Sequence, residues 1–167
     1  MTYAARQVLE DCKLTLQLLE DETDLQVWRI HWVAALALIR AVGHALHKVD
    51  GKKPAFTKEI RNAYQKWQSY PDDHEIFYRF INKERNNILK EYQFNLHPSE
   101  EVEVAVVLTA TNPVTGKTVE IPQTFPIGEN IYRPILDGYR EGDDARDVYS
   151  DAINWWGTEL KNIEIEA

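Results

Sequence analysis

The sequence contains a single cysteine, Cys12, among its 167 residues. One cysteine cannot form an intramolecular disulfide, and it cannot supply the thiolate set of a structural zinc site. A chain without disulfides is typical of a reducing compartment. No signal peptide is visible in the sequence either, so we expect a cytoplasmic location.

Long hydrophobic runs are also missing. The longest uninterrupted apolar stretch is the eight residues from Trp32 to Ile39, and Arg40 follows it directly. Eight residues are too few to cross a bilayer. The stretch is better interpreted as part of a buried helix, and no membrane partner is expected.

Positive charge is scarce, since 19 basic residues face 27 acidic ones and the net charge is −8. The charge is uneven: residues 1–47 carry −2, residues 48–97 carry +3 and residues 98–167 carry −9. A protein that held nucleic acid through its overall charge would be basic. The middle block alone allows a local contact with RNA. Its predicted RNA-binding residues are Lys52, Lys53, Lys58 and Arg61.

Apolar residues recur at helical spacing through the first ninety-odd residues. The pattern predicts helices over 3–20, about 24–48, 54–70 and about 73–96. The second helix is apolar around much of its circumference, so we expect it to be the central helix. The sequence therefore predicts a mainly α fold that begins with an up-and-down helical bundle over residues 1–98.

The pattern changes after residue 100. Apolar and polar residues alternate over 102–108 and again at 119–121, which predicts a β-hairpin. An irregular crossing over 122–142 should lead to a last helix, capped by Asp143 or Asp144. Because an isolated hairpin is marginally stable, we expect residues 99–167 to pack on the bundle as part of one compact domain.

The fourth predicted helix carries Arg85 and Asn86, followed by Lys90 and Tyr92. This arrangement resembles the signature of the HEPN superfamily of helical-bundle proteins, in which an arginine, often followed by asparagine, precedes a histidine by four to six residues. Many members are metal-independent ribonucleases of toxin–antitoxin, phage-defence and RNA-processing systems. In a toxin subgroup a tyrosine lies two residues beyond the histidine, and Lys90 occupies the histidine position here.

The resemblance implies a HEPN-like, RNA-associated protein of toxin–antitoxin or phage-defence type that forms a homodimer and needs no cofactor. Arg85 would bind the phosphate, Asn86 would orient it, and Lys90 and Tyr92 would complete the catalytic pocket. RNA cleavage by its own 2′-hydroxyl needs a proton acceptor and a cation at the phosphate. Lysine normally stays protonated, so the expected site is a weak or inactive endoribonuclease.

Arg85 and Tyr92 are seven residues apart, so we expect them on one face of the helix. The same residues have a structural interpretation, in which Tyr92 is a core aromatic and Arg85 pairs with a neighbouring carboxylate. A secondary candidate lies on the second helix, where Arg40, His44 and His47 share one face and should line a groove or an interface. Histidines near a helix end more often hydrogen-bond the last carbonyls. The remaining histidines lack partners at ligand spacing, so no metal is expected.

A competing hypothesis makes the chain a non-enzymatic protein-interaction module. The acidic tail has a potential free strand edge at 101–109, which could add to a strand of a partner protein. A third interpretation places the tail over the basic middle block, where it would restrain RNA binding.

Overall fold

The computed structural model describes residues 1–94, 96, 101–129 and 132–167. The predicted boundary between bundle and tail, at residue 98, lies outside these residues. Helices make up most of the described chain, and one two-stranded antiparallel hairpin precedes the last helix. The prediction of a mainly α fold with a hairpin and a further C-terminal helix is confirmed.

Three helices open the chain: α1 (Tyr3–Asp21), α2 (Leu25–Lys48) and α3 (Pro54–Ser69). The Asp24 side chain caps α2 by accepting hydrogen bonds from the first free N–H groups of that helix. Pro54 begins α3, where its missing N–H has no cost. A short 3-10 turn, Asp50–Lys52, joins α2 to α3.

As predicted, α2 is the core helix. It packs against α1 and against the C-terminal helix. The indole N–H of Trp156 donates to the carbonyl of Ile39 at 2.9 Å, which ties the last helix to α2. The buried residues of α2 are Trp28, Trp32, Ala35, Leu36, Ile39, Val42, Gly43 and Leu46.

By length and composition, the segment Leu25–Lys52 could also cross a membrane. The core helix of a water-soluble protein meets the same criteria. Because one face of α2 is buried among the other helices, its apolar character already has an explanation in the fold. The finding therefore does not assign the protein to a membrane.

The fourth helix is irregular. It consists of a π segment π1 (Ile76–Asn82), an α segment α4 (Lys83–Asn86) and a second π segment π2 (Asn87–Glu91). The chain leaves it at Tyr92, whose φ of 53° is left-handed. The predicted helix over 73–96 was therefore too long at both ends.

The hairpin pairs β1 (Glu101–Thr111) with β2 (Thr118–Glu129). The prediction that residues 122–129 are irregular was wrong, because β2 continues through two prolines. Pro122 and Pro126 lie opposite Val107 and Glu103. Residue pairs in an antiparallel ladder alternate between hydrogen-bonded and non-hydrogen-bonded pairs. The bond from Asn112 N–H to Lys117 O makes those two residues a hydrogen-bonded pair, so the pairs that contain the prolines are non-hydrogen-bonded. Both prolines fall where the N–H would point away from β1, so the ladder loses no bond.

We expected the hairpin to pack on the bundle, but between residues 103 and 125 no side chain is buried against it. Every side chain from residue 103 to residue 125 is exposed. The reason is that the apolar core closes without it: α5 (Ala145–Glu166) supplies the surface that covers α1, α2 and α3. Asp144 caps α5, as predicted, by accepting a hydrogen bond from the Arg146 N–H.

The two ends of the chain meet. Glu164 on α5 accepts hydrogen bonds from the Thr2 N–H at 2.8 Å and from the Arg6 guanidinium at 2.7 Å. At the other end of the bundle, Gly138 (φ +111°) lies against Glu84, and a Cβ there would come within 3.2 Å of Glu84 Oε1. The segment before α5 therefore packs over the fourth helix.

Candidate functional site

An open groove of about 450 Å³ runs between α2 and α3. Its α2 side consists of residues one helical turn apart, and its α3 side repeats the same spacing. The 3-10 turn closes one end. We call it the cationic groove, and its lining residues are Arg40, Gly43, His44, His47, Lys48, Gly51, Thr57, Ile60, Arg61 and Tyr64.

The two sides of the groove are joined by Tyr64. Its hydroxyl donates a hydrogen bond to the Gly43 carbonyl at 3.1 Å. The His47 ring lies edge-on to the Tyr64 ring, with centroids 6.0 Å apart. The Arg40 guanidinium lies over the ring of Phe77 at 6.0 Å, so its stem is packed while it still lines the groove. The groove residues are therefore held by the core beneath them.

Electrostatics in the groove favour anions. His44 is exposed as a residue, but the groove partly desolvates its imidazole. This desolvation, followed by the charges of Arg40, Arg85 and Lys48, lowers the pKa of His44. A ring with a lowered pKa is neutral at physiological pH and can accept a proton.

Arg85 lies on the same side of the molecule as the cationic groove. It does not line the groove, yet its charge acts on His44, and α4 packs against α2. The Arg85 guanidinium is half-buried and donates to the Asn86 side-chain oxygen at 3.0 Å. The two π segments flank this Arg–Asn pair, and π segments often occur at functional sites.

The rest of the predicted pocket on the fourth helix is not assembled. Tyr92 was expected on the same helical face as Arg85, but it lies outside the helix and is 64% exposed. A π turn holds more residues than an α turn, so π2 rotates later positions away from the face of Arg85. Tyr92 is also not a core aromatic; its ring packs edge-on to Phe94. Lys90 is exposed.

Of the four predicted RNA-binding residues, only Arg61 lines the groove. Lys53 instead pairs with the buried Asp50 at 2.9 Å and lies over the Tyr3 ring. Lys52 and Lys58 are exposed outside the lining. Lys52 and Lys53 lie in the connection before α3, so they do not share the helical face that carries Arg61 into the groove.

The secondary candidates of the sequence come together. Arg40, His44 and His47 line one groove, as their shared helical face predicted. On the α3 side, sequence reasoning selected Arg61 but missed Thr57 and Tyr64, which recur with it at helical spacing; that repeat was the available signal. Across the described ranges, no three His, Cys, Asp or Glu side chains are placed to hold a metal ion.

Comparison of the chain with protein-family models, with curated proteins and with solved structures finds no match. The HEPN resemblance therefore rests on the residues around Arg85 alone.

Proposed function

We propose that the cationic groove binds the phosphodiester backbone of RNA. The observation that carries the proposal is the convergence of Arg40, Lys48 and Arg61 in one groove, with the charge of Arg85 acting on the same groove. A protein with a net charge of −8 gathers these cations against its overall field. Such local concentration is what a bound polyanion requires.

The chemistry of the groove suits a nucleotide chain. Arginine presents a planar fork of donors that matches phosphate oxygens. The half-buried ring of Tyr64, with the buried Ile60 beneath the groove, adds an apolar surface on which a ribose or a base could rest. Thr57 supplies a hydroxyl at the far end of the same side, although it already donates to the Gly51 carbonyl at 2.9 Å.

The HEPN resemblance extends the proposal to a weak, metal-independent endoribonuclease of toxin–antitoxin or phage-defence type. His44, rather than Lys90, would act as the base. It would take the proton of the 2′-hydroxyl as that oxygen attacks the phosphorus, and the 5′-oxygen would leave with a proton from water. Arg85, held by Asn86, and Arg40 would stabilise the charge on the phosphate.

RNA binding is tested with a short fluorescent single strand and fluorescence anisotropy. Arg61→Ala should weaken binding about tenfold, since a charged contact to phosphate is lost. Lys161→Ala removes an equal charge from an exposed site on α5 and should leave the affinity within about twofold. Equal losses in both variants would attribute binding to overall charge and reject the groove.

Cleavage is tested on the same RNA in the presence of EDTA. Both His44→Ala and Arg85→Ala should abolish any metal-independent cleavage by the wild type. If cleavage survives Arg85→Ala, the motif on the fourth helix has no part in the reaction. If the wild type binds RNA but does not cleave it, the groove is a binding site only.

The alternative function is the protein-interaction module. The observation that favours it is the hairpin, whose side chains from 103 to 125 are all exposed. The helix of the predicted acidic tail is not available in the same way, because α5 is part of the core. A partner-binding function would therefore belong to the hairpin alone.

A further inference from the structure

The hairpin has two chemically different faces. Residues that pair directly across an antiparallel ladder share a face, and successive pairs alternate between faces. Glu103 and Glu120 therefore fall on one face. The opposite face has no charged residue in the paired strands between 103 and 111 and between 118 and 125, and Lys117, which pairs with Asn112 at the turn, is the first charge beyond its end. The residues of this uncharged face are Val104, Val106, Leu108, Ala110, Val119, Ile121, Gln123 and Phe125.

The uncharged face is exposed. Its valine, leucine, isoleucine and phenylalanine side chains retain between 36% and 58% of their accessible surface. A two-stranded ribbon without a packed face is marginal in water, and stability normally needs further strands or a covering layer. Among the described residues the bundle does not supply that layer, which leaves the face open to another molecule.

We propose that the uncharged face packs against the same face of a second copy of this chain, forming a two-fold sandwich of two hairpins. This inference does not rest on the groove, to which the hairpin contributes no lining residue. Three properties of the hairpin favour a second copy as the occupant.

The first property is area. Eight side chains at this exposure present on the order of 500 Å² per copy, so two copies would bury roughly 1,000 Å², the lower limit for a specific interface. A patch of this size is large for an uncovered surface of a monomer. Burial of it is favourable because the hydrophobic effect is proportional to the apolar area removed from water.

The second property is the placement of charge. Two identical acidic hairpins repel each other if their carboxylates meet. Because Glu103 and Glu120 lie on the other face, they would stay on the outer surfaces of the sandwich, separated by both sheets. The strands of this face can therefore meet their own copy without an opposed carboxylate, and Lys117 lies at the turn, at the end of each hairpin.

The third property is shape. The bulky pair Val104–Phe125 lies at one end of the face, and the small pair Ala110–Val119 lies near the turn. When two hairpins stack in opposite directions about a two-fold axis, the bulky end of each covers the small end of the other. Such alternation of large and small side chains fills the space between layers. The result is a closed, isologous dimer.

The test is the mass in solution at micromolar concentration, by sedimentation velocity, for the full chain and two variants. Val106→Glu places a carboxylate on the uncharged face, and Val107→Glu places the same group on the opposite face one residue later. We expect a dimer for the wild type and for Val107→Glu, and half that mass for Val106→Glu. A monomeric wild type would overturn the proposal, and so would equal behaviour of the two variants.

The free edge of β1 offers a different dimer, by strand pairing, and a third variant separates the two. Ala105 pairs with Thr124 where the N–H of each points outward, so Ala105→Pro blocks the β1 edge but leaves the ladder intact. It should not change the mass. If Ala105→Pro dissociates the dimer and Val106→Glu does not, the edge is the interface and face packing is rejected.

The direction of stacking is measured independently by spin labels on Thr115→Cys, since the natural Cys12 is buried. Turns at opposite ends of the sandwich should lie on the order of 50 Å apart, given about 3.4 Å per strand residue. A distance below about 20 Å would mean that the hairpins stack in the same direction, and no dipolar coupling would mean that they do not meet; either result contradicts the proposal.

Discussion

The hydroxyl of Tyr64 donates a hydrogen bond to the carbonyl of Gly43 at 3.1 Å, and this bond joins the two sides of the cationic groove. Gly43 also lies where α2 approaches α5 closely, because a Cβ there would lie 3.0 Å from the Trp156 ring. The geometry of the groove is thus tied to the packing of α5 behind it.

Removing the Tyr64 hydroxyl should affect RNA binding by the groove more than it affects the stability of the fold. Tyr64→Phe keeps the ring contacts but deletes one half-buried hydrogen bond, so the free energy of unfolding should fall by about 1 kcal/mol. RNA affinity should fall by a few-fold as the spacing of α2 and α3 becomes less defined. Urea unfolding and fluorescence anisotropy measure the two effects. Unchanged RNA affinity in a less stable Tyr64→Phe would mean that the bond supports the fold only.

The contact between the chain ends should make stability depend on pH in the acid range. Hydrogen bonding from Arg6, partly opposed by burial and helped by Thr2, lowers the pKa of Glu164 from 4.5 to about 2. A carboxylate with a lowered pKa stabilises the fold above its ordinary pKa. That stabilisation should be lost as the pH falls from about 4.5 towards about 2. Glu164→Gln should remove roughly 1 to 2 kcal/mol at pH 7 and flatten the acid dependence.

A matched control exists on α1, where Glu10 pairs with Lys13 at an exposed site. Glu10→Gln should change the free energy of unfolding very little, since exposed ion pairs contribute little. Urea unfolding at several pH values measures both variants. Parallel acid curves for the wild type and Glu164→Gln would contradict the assignment.

Ionised Glu84 should destabilise the fold, whereas ionised Glu164 stabilises it. It is buried, and within the described residues its Oε1 has no hydrogen-bond partner. Burial raises the pKa of Glu84, with only partial relief from Lys83 and Asn87. The folded state therefore disfavours the ionised form, and the penalty appears as the pH rises above the ordinary value of 4.5.

Glu84→Gln should accordingly raise the free energy of unfolding at pH 7, on the order of 1 kcal/mol, and should matter little at pH 4. Glu91→Gln, at an exposed position of the same helix, serves as the control. Thermal unfolding at the two pH values is sufficient. A Glu84→Gln protein that is destabilised at pH 7 would show that the carboxylate has a partner it needs.

RNA binding should strengthen in acid through His44. Because its pKa lies below the ordinary 6.5, the ring is neutral at pH 7 and gains a proton only at lower pH. Protonation adds a positive charge facing the phosphates, so the wild type should bind more tightly at pH 5.5 than at pH 7.5. His44→Gln should lose most of this increase. The same pH dependence in both proteins would assign the effect to another group.

The helices that bury a wide apolar face could be predicted from the sequence. α2 and α5 were located because apolar residues recur in them every three or four positions, and Asp144 was one of the two residues predicted to cap α5. The groove could be predicted in part, since Arg40, His44 and His47 share one face of α2. On the α3 side, Thr57, Arg61 and Tyr64 also recur at helical spacing, but no local pattern encodes which face of α3 packs beside α2.

The fourth helix could not be predicted in the same way. Sequence periodicity assumes 3.6 residues per turn, and the π segments around Arg85 change that number. The face shared by Arg85 and Tyr92 was therefore an inference from the wrong period. The length of β2 was missed for another reason. The proline-containing segment from residue 122 was predicted to be irregular, although a proline whose nitrogen faces away from the neighbouring strand removes no bond from the ladder.

The most direct test of the cationic groove is the salt dependence of RNA binding by the wild type, Arg61→Ala and Lys161→Ala. Each phosphate contact to a single strand contributes about 0.7 to the slope of log affinity against log salt concentration. The slope for Arg61→Ala should be smaller than that of the wild type by about 0.7, and the slope for Lys161→Ala should be unchanged. Identical slopes for all three proteins, or no RNA binding by the wild type at low salt, would contradict a phosphate-binding groove.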